Sequence, residues 1–228
     1  MFIFKLFQKQ KELPDILKEA SDYAHEVITC SASLESTPPE DIAFNDMSVS
    51  NMRSDICMYA KVLNPDLYSD SIPDELSYTD PEILEISKRN ILGNRAGNCG
   101  EYLVLALTYM LEKYKDQLMH VTFRVMCAGT QGHLNHVYLH IEDRKNNKTY
   151  FFDPTCQQIA PRDKQTGNVY IRGKKGKPNR YHPITTSDTD YIEQAIATIH
   201  PGKIQYPLSN AETIKIDSLL ERQRHDNK

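Results

Sequence analysis

Apolar residues recur at helical spacing through the first half of the chain and alternate with polar ones in the middle, which predicts helices followed by a sheet. Pro14 opens a first helix on which Ile16, Ala20, Tyr23, Ala24, Val27 and Ile28 form one apolar stripe. Residues 31–39, rich in Ser, Thr and Pro, read as a loop. Residues 40–63 show weaker helical periodicity through Ile56, Tyr59, Ala60 and Leu63, and Asn64-Pro65 stops it. The Asp-, Ser- and Pro-rich stretch 66–80 predicts an irregular surface segment, after which Asp80-Pro81-Glu82 caps a short helix carrying Ile83, Leu84, Ile86 and Ile91. Gly93 and Gly97 mark the next loop. From Cys99 onward, Tyr102, Leu103, Leu105, Ala106, Leu107, Tyr109 and Met110 are apolar on nearly every side of a helix. Such a helix is expected to be central and enclosed, with Lys113 and Lys115 suiting its last turn.

The period then changes from 3.6 to 2. Residues 121–127 are β-branched and aromatic in alternation and end at Gly129, and a loop is expected over 130–133. Residues 136–141 alternate most cleanly, placing Val137, Leu139 and Ile141 on one face and His136, Tyr138 and His140 on the other. A charged turn at 142–148 leads to a returning strand, Thr149 to Asp153, ended by Pro154. In any hairpin register whose paired residue numbers give an odd total, Phe151 and Asp153 share a face with His136, Tyr138 and His140; a slip of one residue separates them. Further on, 167–172 reads as a strand, 173–178 as a basic turn, and 188–199 and 210–220 as helices. The polar string 221–228 is expected to fray.

The fold class expected from this order is α+β, helices on an antiparallel sheet, with a helical N-terminal region over 1–80 and the core over 81–228 packed as one unit. With 27 basic and 31 acidic side chains, a net charge of -4, the 228-residue chain gives no global electrostatic reason to expect a nucleic-acid partner. The opening Met1-Phe2-Ile3-Phe4-Lys5-Leu6-Phe7 is short, interrupted by Lys5 and without a cleavage site. It is expected to pack on the body as a strand or helix end, with a surface anchor as the alternative. No run is long enough to span a bilayer. Five cysteines, an odd number with no CxxC pair, argue against a disulfide framework and point to a reducing, cytosolic compartment.

Candidate chemistry centres on Arg95-Ala96-Gly97-Asn98-Cys99-Gly100-Glu101-Tyr102. It delivers one cysteine to a helix start, where orphan N–H groups and the helix dipole favour negative charge, and the thiolate is the nucleophilic form. A cysteine nucleophile needs a base, and the base an orienting carboxylate; the hairpin offers His136 or His140 for the first role and Asp153 for the second. The residues alone leave the two histidines level. The Cys99 N–H is a candidate oxyanion donor. Each part has a plainer reading: an inert buried thiol for Cys99, and a turn-opening Asp-Pro for Asp153. A zinc site built from His133, His136 and His140 with Cys127 or Cys156 is a further reading, disfavoured by the lack of a paired-cysteine motif. The Lys174, Lys175, Lys177 and Arg180 cluster reads as a solvated turn.

These motifs carry a resemblance. Arg95-x-Gly97-x-Cys99 leading into an apolar helix, His136-x-Tyr138 on a strand and Tyr150-Phe151-Phe152-Asp153-Pro154-Thr155 on the next resemble the transglutaminase-like branch of the papain-like cysteine enzymes, over about residues 83–155. The resemblance implies a papain-like core in which a central helix bears the cysteine and an antiparallel sheet bears histidine and aspartate. It assigns the catalytic triad to Cys99, His136 and Asp153, deciding for His136 over His140. Tyr138 and Tyr150 to Phe152 stand where the family often has Trp, and His140 where it often has an acidic residue, so the aromatic wall keeps its place and changes its shape. Implied functions are acyl transfer on protein substrates without cofactor or metal, as a cross-linking transglutaminase or glutamine deamidase. The alternatives are a cysteine peptidase and a non-catalytic protein-binding module docking through 1–63. The branch includes effector enzymes, implying delivery into a host cell without a secretory signal and a regulatory protein that blocks the cleft.

Overall fold

Helix α1 (Leu13–Val27) starts with proline in its first turn and buries Leu13, Ile16, Leu17, Ala20, Ser21 and Ala24; of the expected stripe, Ile16, Ala20 and Ala24 are buried, Tyr23 and Val27 are half-buried against the same core and Ile28 caps the helix. The computed structural model describes residues 10–32, 34, 37–68, 72–130, 133–161 and 191–226. The opening apolar segment, the expected strand at 167–172 and the basic cluster at 174–180 lie outside the described residues. Helix α2 (Pro39–Leu63) buries only Val49, Met52, Ile56, Tyr59 and Ala60. The stretch expected to be irregular contains a short helix, α3 (Asp74–Thr79), anchored by buried Tyr78. At the next helix, α4 (Pro81–Asn94), the Asp80 carboxylate accepts the N–H groups of Glu82 and Ile83 at 2.8 and 3.1 Å, as its sequence predicts.

Helix α5 (Cys99–Tyr114) is the centre. Tyr102, Leu103, Leu105, Ala106, Leu107, Met110 and Leu111 are fully enclosed. Burying each such side chain contributes about 1.5–3 kcal/mol, so this helix is a large share of the driving force for folding. It packs against α1, α4 and the sheet.

The sheet has five strands in the order β4-β3-β2-β1-β5: β1 (Val121–Thr130), β2 (His133–Asp143), β3 (Lys148–Asp153), β4 (Gln158–Pro161) and β5 (Tyr191–Ile199). Every neighbouring pair is antiparallel. Phe123, Val125, Val137, Leu139, Ile141, Tyr150, Phe152, Ala197 and Ile199 join the residues of α1 and α5 in the main core. The opposite face carries a smaller cluster of Met126, Ala128, Tyr138 and Phe151. A last helix, α6 (Asn210–Asp226), docks on α4 through the Arg89–Asp217 ion pair.

Three expectations need correction. The expected loop at 130–133 is shorter, because β1 runs to Thr130 and β2 begins at His133. The polar string from residue 221, expected to fray after a helix ending at 220, continues that helix as far as Asp226. Residues 191–199, expected as part of a helix, form β5. Ile192, Ala195, Ile196 and Ile199 do match a helical repeat, but the open edge of β1 offers a row of unpaired backbone groups that a strand satisfies and a helix does not. The register shifts here, with Val125 opposite Ala197 and Met126 opposite Ala195, so Ile196 is an extra residue and the period-2 pattern is broken where a strand signal was needed.

Candidate active site

The loop before α5 is built for close approach. Arg95 caps α4 in the left-handed conformation, φ 54°, and its guanidinium donates to the carbonyls of Val27 and Glu26, each at 3.1 Å, closing the C-terminal end of α1. Gly97 donates to the Cys30 carbonyl at 2.9 Å. A Cβ on Gly97 would sit 2.5 Å from Cβ of Glu101 and 2.8 Å from Cδ1 of Ile28, so only glycine lets the loop lie against the helix it introduces.

The first turn of α5 is fixed by Glu101. Its carboxylate accepts the Asn98 N–H at 2.9 Å, half of a capping box, and takes a two-pronged bond from Arg53 on α2, Nε at 2.7 Å and Nη2 at 2.8 Å. That pair raises the guanidinium's pKa and ties α2 to the cysteine's helix. The Asn98 side chain meanwhile accepts the Ala32 N–H at 3.0 Å and donates to Asp46 at 3.3 Å. Cys99 is 9% exposed at the head of this braced turn.

On the sheet, every β2–β3 pair gives an odd total, for example Leu139 opposite Phe152 and His140 opposite Phe151. One step further this register sets Tyr138 opposite Asp153, making both His136 and His140 its diagonal neighbours. His136 is the one that reaches it: Nε2 lies 2.7 Å from Oδ2 of Asp153, the two side chains 11% and 2% exposed. A register shift beside His136 helps, since Ala128 pairs with His136 but Gly129 pairs with Leu134, leaving Asn135 as an extra residue in β2. Such bulges redirect neighbouring side chains. The other carboxylate oxygen, Oδ1, is occupied by the N–H groups of Thr155 and Cys156 at 2.9 and 3.3 Å. Asp153 therefore has one oxygen held by its own turn and one left for the imidazole.

With Nε2 turned to Asp153, the ring has the Cys99 side chain as its other hydrogen-bonding partner. Burial alone would lower the pKa of this imidazole, but the bonds to Asp153 and Cys99 outweigh it and the pKa is pushed up to about 10. The ring is thus held protonated at neutral pH between a carboxylate and a sulfur. The structure brings all three predicted residues together. It places His140 opposite Arg124 and Phe151.

Cys99 also lines a cleft of about 420 Å³ between α2, α3, α4, α5 and the sheet. Ile56, Ile72, Ile91, Val104, Val137 and Ile196 give it apolar walls, and Arg53, Asp74, Ser77 and Glu101 give it polar points. Tyr78, whose phenol pKa burial raises, closes it near Gly100. Cys127 shares the cleft, its thiol pushed up by burial first and then by Asp74 and Cys99, so it is held neutral beside the candidate nucleophile. Arg53, Tyr78 and Asp74 carry no sequence signal for this role. Glu101 does, as the fourth residue of an Asn-x-x-Glu capping pattern ahead of an apolar run. Among the described residues no group of three His, Cys, Asp or Glu is gathered to hold a metal, and no helix is long and apolar enough to cross a membrane.

Compared with protein-family models, curated proteins and solved structures, the chain finds no match.

Proposed function

We propose that this protein is a cysteine-dependent acyltransferase or hydrolase acting on protein carboxamides, with Cys99 as nucleophile, His136 as general acid and base, and Asp153 as its orienting carboxylate. The observation that carries the reading is the His136–Asp153 bond of 2.7 Å with the Cys99 thiol as the ring's other partner. The Cys99 sulfur attacks the carboxamide carbon, and the oxyanion that forms faces the first-turn N–H groups of α5, which the helix's own ladder leaves unused. As the tetrahedral intermediate collapses, the C–N bond breaks and the imidazolium gives its proton to the departing ammonia, leaving a thioester. A primary amine or water then attacks, His136 takes its proton, and the thiolate leaves. An amine yields a cross-link; water yields a deamidated side chain.

The cleft supports the choice of a side-chain carboxamide, because apolar walls of this size accept an alkyl stem and lead its tip to Cys99. The test is mass spectrometry of candidate protein mixtures incubated with a primary-amine probe. Wild type is expected to add the probe to glutamine or raise glutamine mass by conversion to glutamate, and Cys99→Ala to do neither. Equal modification by the two proteins would refute the proposal, and chain cleavage without either product would assign the triad to peptide hydrolysis.

A further inference from the structure

The cysteine sits on α5 and the His136–Asp153 pair on the sheet, and His25 of α1 contacts a near neighbour of each. His25 on α1 lays its ring against that of Tyr102, with centroids 4.7 Å apart, on the first turns of the helix that Cys99 begins. The same ring brings Nε2 to 2.9 Å from the carbonyl of Pro154, the residue after Asp153. One turn earlier on α1, the hydroxyl of Ser21, 2% exposed, donates to that same carbonyl at 3.1 Å. The carbonyl also receives the Gln157 N–H at 3.4 Å. A carbonyl can only accept, so Nε2 carries a hydrogen here, and the bond survives in both the Nε2–H tautomer and the imidazolium.

We infer that His25 and Ser21 are positioning residues, a brace from α1 that holds the Asp153-bearing turn at a set distance from the helix bearing Cys99. The inference rests on the triad reading above. Its physical basis is that Asp153 Oδ1 is already fixed by the backbone of this turn, so where the turn sits decides where Oδ2 points. Small displacements of such a group are felt strongly, since charge-assisted hydrogen bonds depend steeply on distance and angle. Neither residue touches the reacting atoms.

The readout is the titration of His136, followed by NMR of the ring in the substrate-free protein. The titratable groups facing that ring are Asp153 and Cys99, with the Tyr138 ring stacked beside it at 6.2 Å between centroids. In Ser21→Ala and His25→Leu the midpoint of His136 is expected to fall by about one unit, a tenfold loss of preference for the protonated ring. His25→Gln, whose amide can still donate to Pro154, is expected to restore most of it. Ser21→Ala removes only a hydroxyl and keeps the measurement available should the His25 variants not fold. An unchanged midpoint in Ser21→Ala and His25→Leu overturns the brace, as does a fall that His25→Gln does not reverse. These results are independent of whether the amine-probe assay gives product, so failure of the brace and failure of the triad's activity are told apart.

Discussion

Protonation of His136 links the site to the stability of the fold. In the unfolded chain its imidazole has the ordinary value near 6.5, and in the fold the value is raised to about 10. A group raised on folding stabilises fully below its unfolded pKa and loses that contribution as pH rises through its folded one. Urea unfolding of wild type and His136→Gln is therefore expected to show the largest difference in stability at pH 6 and a shrinking one toward pH 10. A difference that grows with pH would mean that the ring is held neutral. At this scale the alternation was informative about types and silent about choice: it offered His136 and His140 on one strand face, the family resemblance favoured His136, and in the fold His136 is bonded to Asp153. Gly97 could be recognised as a loop residue, but that a Cβ there would lie 2.5 Å from Cβ of Glu101 is a property of the folded loop.

Between elements, the candidate site depends on helices that contribute none of its three chemical groups. Helix α2 meets α5 through the Arg53–Glu101 pair, where the carboxylate side chain is 9% exposed and the guanidinium about half exposed. Removing the cation leaves a nearly buried carboxylate that still accepts the Asn98 N–H. Arg53→Ala is expected to cost about 1–3 kcal/mol, below the figure for a fully buried pair because water reaches the arginine. Chemical denaturation measures it, and a loss under 0.5 kcal/mol, the range of ordinary surface substitutions, would show that α2 is held by its apolar contacts alone. Helix α1 and the β2–β3 hairpin were legible from a strong period, and α2, α4 and α5 from explicit stop or cap residues around weaker or all-round apolar patterns. Helix α3 and strand β4 are too short for a period to emerge, and β5 carries a bulge that makes its apolar residues mimic a helix.

For the molecule as a whole, residues of α1 and α2 sit in the same apolar cluster as α5 and the sheet, so these two helices are part of the core on which the site stands. Unfolding of the full chain is expected to be a single transition, with helical dichroism and tyrosine fluorescence changing together. Leu105→Ala, at the centre of α5, is expected to shift both signals equally and to cost about 2–5 kcal/mol. Separate transitions would show that the N-terminal helices form an independent unit. The sequence by itself determined the order of chemistry along the chain, a cysteine at a helix start followed by histidine and aspartate on adjoining strands, because hydrophobic period and turn residues act locally. Only the tertiary structure decided which histidine meets Asp153, which strand completes the sheet and which helices brace the site, because those depend on contacts between residues far apart in sequence, where register and edge pairing outweigh local preference.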